Sequence, residues 1–486
     1  MKPIYFDYNA TTPVAPEVVD AMLPYLREHF GNASSAHAYG GAAHDALERA
    51  RHVIGRLIGA DPSSIIFTAN GTESNNLAIE GAWRADRANG GTRNHVIVSA
   101  VEHPAVLEVA RWLERQGAHI SLLPVDAHGR VHCADLEREI GPDTLLVSVM
   151  LANNEVGTLQ PIAELTRVAH DHGAWMHTDA AQAIGKVPVD VEALGVDLLS
   201  IVGHKMYAPK GIGALYVRAG VPVAPVIHGA NHERGIRPGT EPVAQIVALA
   251  RAAELVGDGI ADEGSRLQRL RDRLETGLRR ELGDEAVHRN GHPDARLPNT
   301  LSVSFRGVRA DALLTSIAAQ VAASAGSACH SQEFQLSPVL RAMGVAPEWG
   351  MGTLRLSLGR YTTPDEIDTA VRVIAAAVRI ATDASAELRA AACRVTIRQL
   401  APQRARFRGD ELGPSETGIE QPHGVALPAE EALAVLHHLV VSPRSDRPVL
   451  SAYGIAREVE AGTKDQVPRA RGLHGPGLSG AWRVVS

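Results

Sequence analysis

The sequence predicts an α/β fold built on a mostly parallel sheet covered by helices, followed by a smaller α+β domain. Three observations carry that expectation. Short aliphatic runs alternate with longer helical patterns between Ile65 and Val217, the mark of strand–helix–strand units. The residues suited to chemistry follow those runs directly, and ligands of such sheets gather at the carboxyl ends of the strands. Beyond about residue 257 the pattern changes to long helices around a few alternating strands.

Residues 1–15 read as an N-terminal arm, a short strand and a polar turn over Asp7–Pro13. Gly41–Ala60 carries Ala43, Ala46, Leu47, Ala50, Val53, Ile54, Leu57 and Ile58 at helical spacing, an amphipathic helix with no chemistry of its own. The strand candidates are Ile65–Thr68, His95–Ser99, Leu145–Met150, Ala174–Thr178, Leu198–Val202 and Ala214–Val217. A helix from about Pro242 to Val256 closes the large domain, 16–256. The smaller domain, 257–385, holds a strand over Asn299–Phe305 and a long helix to about Ala384. That helix opens on Thr363-Pro364-Asp365-Glu366, a cap, a first-turn proline and a capping-box glutamate. Residues 386–486 are rich in Ala, Arg, Gly and Pro, with one helix candidate over Leu427–Val441. They read as a disordered stretch or a docking segment. Gly475–Gly480 fits the letters of a dinucleotide motif, but no strand precedes it and no helix has room to follow, so that reading is rejected.

A chain of 486 residues with 45% hydrophobic content is long enough for more than one domain. A formal net charge of −7 without a basic run argues against nucleic acid as the main partner. Cys133, Cys329 and Cys393 make no disulfide framework, which fits a reducing cytoplasm. No signal core and no run of about 18 apolar residues is visible, so a membrane span is not expected.

The chemistry centres on Leu198–Val217, where Gly203-His204-Lys205 sits between two buried-strand candidates. An unpaired ammonium is costly to bury, and a desolvated lysine loses its charge readily, as a Schiff-base lysine must. Alone, a snorkelling lysine on a turn is the commoner case. Asp179, at the end of Ala174–Thr178, is placed to pair with a pyridinium nitrogen. Asn70-Gly71-Thr72 follows a strand and opens a helix, an arrangement that suits a phosphate. Lysine, strand-end aspartate and phosphate cradle together are the parts of a pyridoxal phosphate site. His228, His232 and Glu233 match no familiar zinc spacing, and no metal is expected.

The chain resembles the cysteine desulfurase family of class V aminotransferases, with close similarity to selenocysteine lyase. The matching pieces are Asp7–Pro13, Gly71–Asn76, Glu102-His103, Asn153–Glu155, Asp179–Gln182, Gly203–Lys205, Arg237–Glu241, Ser327–His330 and Arg355–Arg360, in the family's order to about residue 380. The resemblance implies the aspartate-aminotransferase-like fold of type I pyridoxal-phosphate transferases, with a seven-stranded sheet in the large domain. It implies Lys205 as the Schiff-base residue, and His103 stacked on the cofactor and moving protons. Gly71, Thr72 and His204 would hold the phosphate, and Asn154 and Gln182 the phenolic oxygen. Asn154 and Arg355 would take the substrate carboxylate. The 228–241 loop would carry Thr240 to the cofactor of a second subunit, making a homodimer. Val202 stands where some relatives have a serine, removing one phosphate hydroxyl. Cys329, on the small and flexible Ser324–Ser331 loop, would take up sulfur as a persulfide and pass it to an acceptor protein or thiol. The implied reaction converts L-cysteine to L-alanine. The alternatives are selenocysteine lyase, acting on L-selenocysteine with less help from Cys329, and a catalytically silent scaffold for sulfur transfer.

Overall fold

The computed structural model describes residues 2–325 and 335–400, the last seventeen of these as backbone alone. Cys329, Leu427–Val441 and Gly475–Gly480 lie outside the described residues. Twelve strands are present among those described. They are β1 (Ile4–Tyr5), β2 (Ile65–Thr68), β3 (His95–Ser99), β4 (His119–Leu123), β5 (Thr144–Ser148), β6 (Trp175–Asp179), β7 (Leu198–Val202), β8 (Gly213–Val217), β9 (Val287–Asn290), β10 (Thr300–Phe305), β11 (Val321–Ala322) and β12 (Thr353–Ser357).

Seven strands form the main sheet in the order β2-β8-β7-β6-β5-β3-β4. Only β8 runs against its neighbours; the pairs from β7 through β4 are parallel. Strands β2, β3, β5, β7 and β8 are buried along their whole length, because helices cover both faces. Their aliphatic runs are therefore continuous, and the predicted strands coincide with them to within two residues. The exception is β4, which the sequence reading did not include. It is the sheet edge, with Leu122 exposed, and its mixed composition hides it.

Two apolar cores line the two faces of this sheet, one around Ile54, Val147, Ile201 and Leu249, the other around Ile79, Val98, Leu113 and Leu215. A third core lies between the antiparallel sheet β12-β10-β9 and the helices Ile260–Leu282, Ala310–Ile317 and Pro364–Leu400. The chain start joins this third core. β1 pairs in parallel with β11, and Phe6 is fully buried there.

The helix read as Gly41–Ala60 spans Ala38–Ile58, ending where Gly59 takes a left-handed φ of 69°. The capping box forms as predicted: Thr363 N donates to Glu366 Oε2 (2.8 Å) and Glu366 N to Thr363 Oγ1 (3.3 Å). The helix it opens runs to Leu400 rather than about Ala384. Residues 385–400 contain good helix formers and neither glycine nor proline; the next proline is Pro402.

Candidate active site

Two antiparallel steps through β8 leave β2 parallel to β7, so the carboxyl ends of β2, β3, β5, β6 and β7 meet at one sheet edge. The segments that follow them carry Asn70–Thr72, Glu102-His103, Asn153-Asn154, Asp179 and Gly203–Lys205. The grouping expected from sequence is thus a consequence of strand direction.

Asp179 is buried. Its Oδ2 accepts from Asn75 Nδ2 at 2.7 Å and its Oδ1 from Ala181 N at 2.8 Å. The sequence assigns Asn75 no role. It lies one turn into the helix Gly71–Ala88, fully buried, with its own Oδ1 unpartnered. Only the three-dimensional placement shows it as the residue that orients Asp179.

Lys205 Nζ donates to two backbone carbonyls of the N-terminal arm, Asn9 O (2.6 Å) and Ala10 O (2.7 Å). Burial and the Arg355 guanidinium push its pKa down to about 8, against the opposing pull of Asp179 and Asp7. His103 caps the helix Pro104–Arg115, its Nδ1 accepting from Ala105 N at 3.1 Å. That bond places the ring proton on Nε2 of the neutral ring. Burial lowers the His103 pKa; Asp179 acts against this and Lys205 adds to it. Its neighbour Glu102 accepts from Ser99 Oγ (2.5 Å) and Met150 N (2.7 Å), while Oε2 is buried without a partner among the described residues. Burial pushes this carboxyl up to about 8.

The phosphate cradle begins at the start of the helix Gly71–Ala88, where first-turn N–H groups have no intrahelical acceptor. Asn70 takes those of Glu73 and Ser74, leaving Gly71 and Thr72 as donors. A side chain at Gly71 would bring its Cβ to 2.3 Å from Val202 Cγ2. Val202 is therefore the wall of the cradle, and only glycine fits against it. His204 Nδ1 lies 3.1 Å from Thr11 Oγ1, and burial, with Lys205 and Lys210, pushes its pKa down to about 4. With that nitrogen engaged, Nε2 is the one left for an anion.

Arg355, on β12, is buried rather than on the surface. Its Nη2 pairs with Asp7 Oδ1 (2.8 Å), its Nη1 donates to Asn154 O (3.1 Å), and among the described residues Nε has no partner. Gln182 donates from Nε2 to Asn9 O (3.0 Å) and accepts at Oε1 from Lys186 Nζ (2.5 Å). Thr240 is exposed, and no hydrogen bond joins it to the described residues of this site. Glu233, weighed as a metal ligand, pairs through both oxygens with Arg51 at 2.8 Å and also accepts from Phe67 N. Arg237 pairs with Glu73 at 2.8 Å.

Described residues that precede and follow the Cys329 segment in sequence are tied to this site. Ser324 exchanges backbone hydrogen bonds with Arg355 (2.7 and 3.3 Å). Ser337 Oγ donates to Glu155 Oε2 at 2.5 Å, next to Asn154. Burial pushes Glu155 up to about 7.

A lysine with a depressed pKa, an oriented buried carboxylate, a neutral histidine and a helix start free to bind phosphate are the donor set pyridoxal phosphate needs. Fold and site together define a pyridoxal-phosphate-dependent enzyme of the aspartate-aminotransferase architecture. The class-V aminotransferase family model matches residues 4–370, and the chain belongs to that family. It is 46% identical over 374 residues to the cysteine desulfurase IscS of Methanosarcina thermophila, covering 77% of this chain and 91% of that one. Among solved structures, a NifS-like protein superposes with a TM-score of 0.72 at 36% identity, covering 78% of this chain and all of the other. DndA from Streptomyces lividans gives a TM-score of 0.61 at 40% identity over 72% of this chain and 97% of its own. Among the described residues no helix is long and apolar enough to cross a membrane.

Proposed function

We propose that the chain is a cysteine desulfurase, removing sulfur from L-cysteine to leave L-alanine and passing that sulfur on through Cys329. The observation that carries this reading is Lys205, held beside Asp179 and His103 with its pKa near 8, with both ends of the Cys329 segment fastened beside Arg355 and Glu155. The names of the relatives support the same substrate.

When bound, pyridoxal phosphate supplies an electron sink for the substrate's Cα. Asp179, fixed by Asn75, holds the proton on the pyridinium nitrogen. Gly71, Thr72 and His204 bind the phosphate. Lys205 would hold the cofactor, and its amine would move the substrate's Cα proton; an amine with a pKa near 8 is suited to both giving and taking it at neutral pH. Arg355 and Asn154 orient the substrate carboxylate, and Gln182 offers a donor to the phenolic oxygen. His103 serves the other proton transfers. The Cys329 thiolate attacks the substrate sulfur, so an S–S bond forms as the C–S bond breaks and its electron pair stays with carbon. The carbon is then protonated to alanine, and an acceptor protein or small thiol takes the sulfur. Thr240 serves the cofactor of a second copy of the chain, and the active unit is a homodimer in a reducing cytoplasm.

The test is alanine release by the cofactor-loaded chain from L-cysteine and L-selenocysteine, side by side, with persulfide trapping on Cys329. Turnover of cysteine that Cys329→Ala abolishes is the expected result. Undiminished protein-bound persulfide in that variant defeats the reading, and turnover confined to selenocysteine replaces it with the lyase.

A further inference from the structure

Lys186 is one of only five lysines in the chain, with Lys2, Lys205, Lys210 and Lys464. Its side chain is buried, and among the described residues it forms no salt bridge to a carboxylate. The Nζ donates to two neutral oxygens, Asn9 Oδ1 (3.1 Å) and Gln182 Oε1 (2.5 Å). The charged groups that act on it are Lys205 and Arg355, both cations. An ammonium has three N–H bonds to satisfy and a neutral amine has two, and two acceptors are present.

Those two acceptors belong to the residues that frame Lys205. Asn9 is the hub: its carbonyl takes Lys205 Nζ and Gln182 Nε2. Its Oδ1 takes Lys186 and Asn299 Nδ2, and its Nδ2 donates to Thr300 Oγ1 and Asn154 O. The Gln182 amide has two ends of similar shape, and a donor on Oε1 decides which end faces the site.

We propose that Lys186 is a positioning residue for the site: by donating to Asn9 Oδ1 and Gln182 Oε1, it fixes the carbonyl that holds Lys205 and the direction of the Gln182 amide. With Oε1 engaged, Gln182 presents only N–H bonds, one to Asn9 O and one free for the bound cofactor. Burial and two neighbouring cations push the Lys186 pKa well below the ordinary lysine range, and the two acceptors match the two N–H bonds of an amine. This assignment rests on reading Lys205 as the cofactor lysine.

The experiment uses the full chain loaded with pyridoxal phosphate and labelled at lysine Cε and Nζ. Five lysines give a resolvable NMR spectrum, and the Lys186 signal is the one lost in Lys186→Met. The expected spectrum shows Lys186 titrating well below the ordinary lysine range. In Lys186→Met the pH midpoint of the cofactor's visible absorbance rises by about one unit and alanine release falls about tenfold, the order of one oriented hydrogen bond. Lys186→Gln, which offers two N–H bonds, recovers both to within about threefold. A Lys186 titration within the ordinary lysine range, a wild-type midpoint in Lys186→Met, or Lys186→Gln as impaired as Lys186→Met overturns the proposal. Should Lys186→Met not fold, Gln182→Leu must raise the midpoint in the same direction, and an unmoved midpoint there is equally decisive. If the wild-type chain releases no alanine, the reaction reading fails while the spectra still judge Lys186.

Discussion

Replacing Lys205 with methionine should make the cofactor-free protein less dependent on pH for its stability, and the structure sets the size of the effect. The folded state holds the Lys205 pKa at about 8 instead of 10.5. A displacement of that size corresponds to about 3 kcal/mol. Below pH 8 both the folded and the unfolded chain carry the proton, so the folded state bears the whole penalty. Between pH 8 and 10.5 the unfolded chain holds the proton and the folded chain has lost it, so wild-type stability rises with pH through that window. Above 10.5 neither holds it and the penalty is gone. The methionine variant lacks this term and also lacks the bonds to Asn9 O and Ala10 O, each worth about 1 kcal/mol. The variant is therefore expected to be about 1 kcal/mol more stable than wild type at pH 7, about 1 kcal/mol less stable at pH 10, and about 2 kcal/mol less stable well above pH 10.5. Lys186 titrates in both proteins, so most of its own contribution cancels in the difference. The assay is thermal unfolding of the two cofactor-free proteins at pH 7, 8, 9 and 10. A difference in midpoint that stays constant across that range would refute the reasoning.

Three further outcomes follow from single contacts. Glu102→Gln copies the protonated form of a carboxyl that folding raises to about 8; wild-type stability falls from pH 4.5 to 8 through this group, so the variant should match wild type at pH 4 and unfold at a higher temperature at pH 9. Arg51→Met leaves Glu233 buried without its partner, an expected loss of about 3–5 kcal/mol, and Glu233→Gln added to it should recover part of the lost thermal midpoint. Gly71→Ala forces a Cβ against Val202; pyridoxal phosphate titration followed by absorbance should show affinity reduced at least about tenfold, and Val202→Ala added to it should restore part of that affinity.

The sheet was legible because burial on both faces leaves its strands as uninterrupted aliphatic runs, and the strand-end residues were legible because parallel strands present their carboxyl ends together. Edge strand β4 escaped because solvent on one side lets His119 and Ser121 interrupt the pattern. Asn9, Asn75 and Lys186 escaped for another reason. Each acts through a partner more than a hundred residues away, Lys205, Asp179 and Asn9 respectively, and no local spacing announces such a bond. Arg355 lies between the two cases. The resemblance gave it a carboxylate to bind, but its burial and its pairing with Asp7 belong to the packing of β12 against the chain start.

That chain start has a consequence for how the site comes into being. Among the described residues the acceptors of Lys205 are Asn9 O and Ala10 O, and His204 and Tyr207 lean on Thr11 and Thr12. The arm is itself held from the far end of the chain, by β1 on β11 and by Asn9 on Thr300 and Ser357. Loop closure over some three hundred residues is paid in entropy before these contacts form. The sheet that positions Lys205, Asp179 and His103 needs no such closure. Its strands and covering helices come from one continuous stretch, so it can assemble before the arm docks. Lys205 in such a state would lack its carbonyl partners and much of its burial, and its pKa would move back toward that of an ordinary lysine. The low pKa that suits the residue to its chemistry is therefore a property of the completed fold, conferred when residues 7–12 close over the turn that carries it.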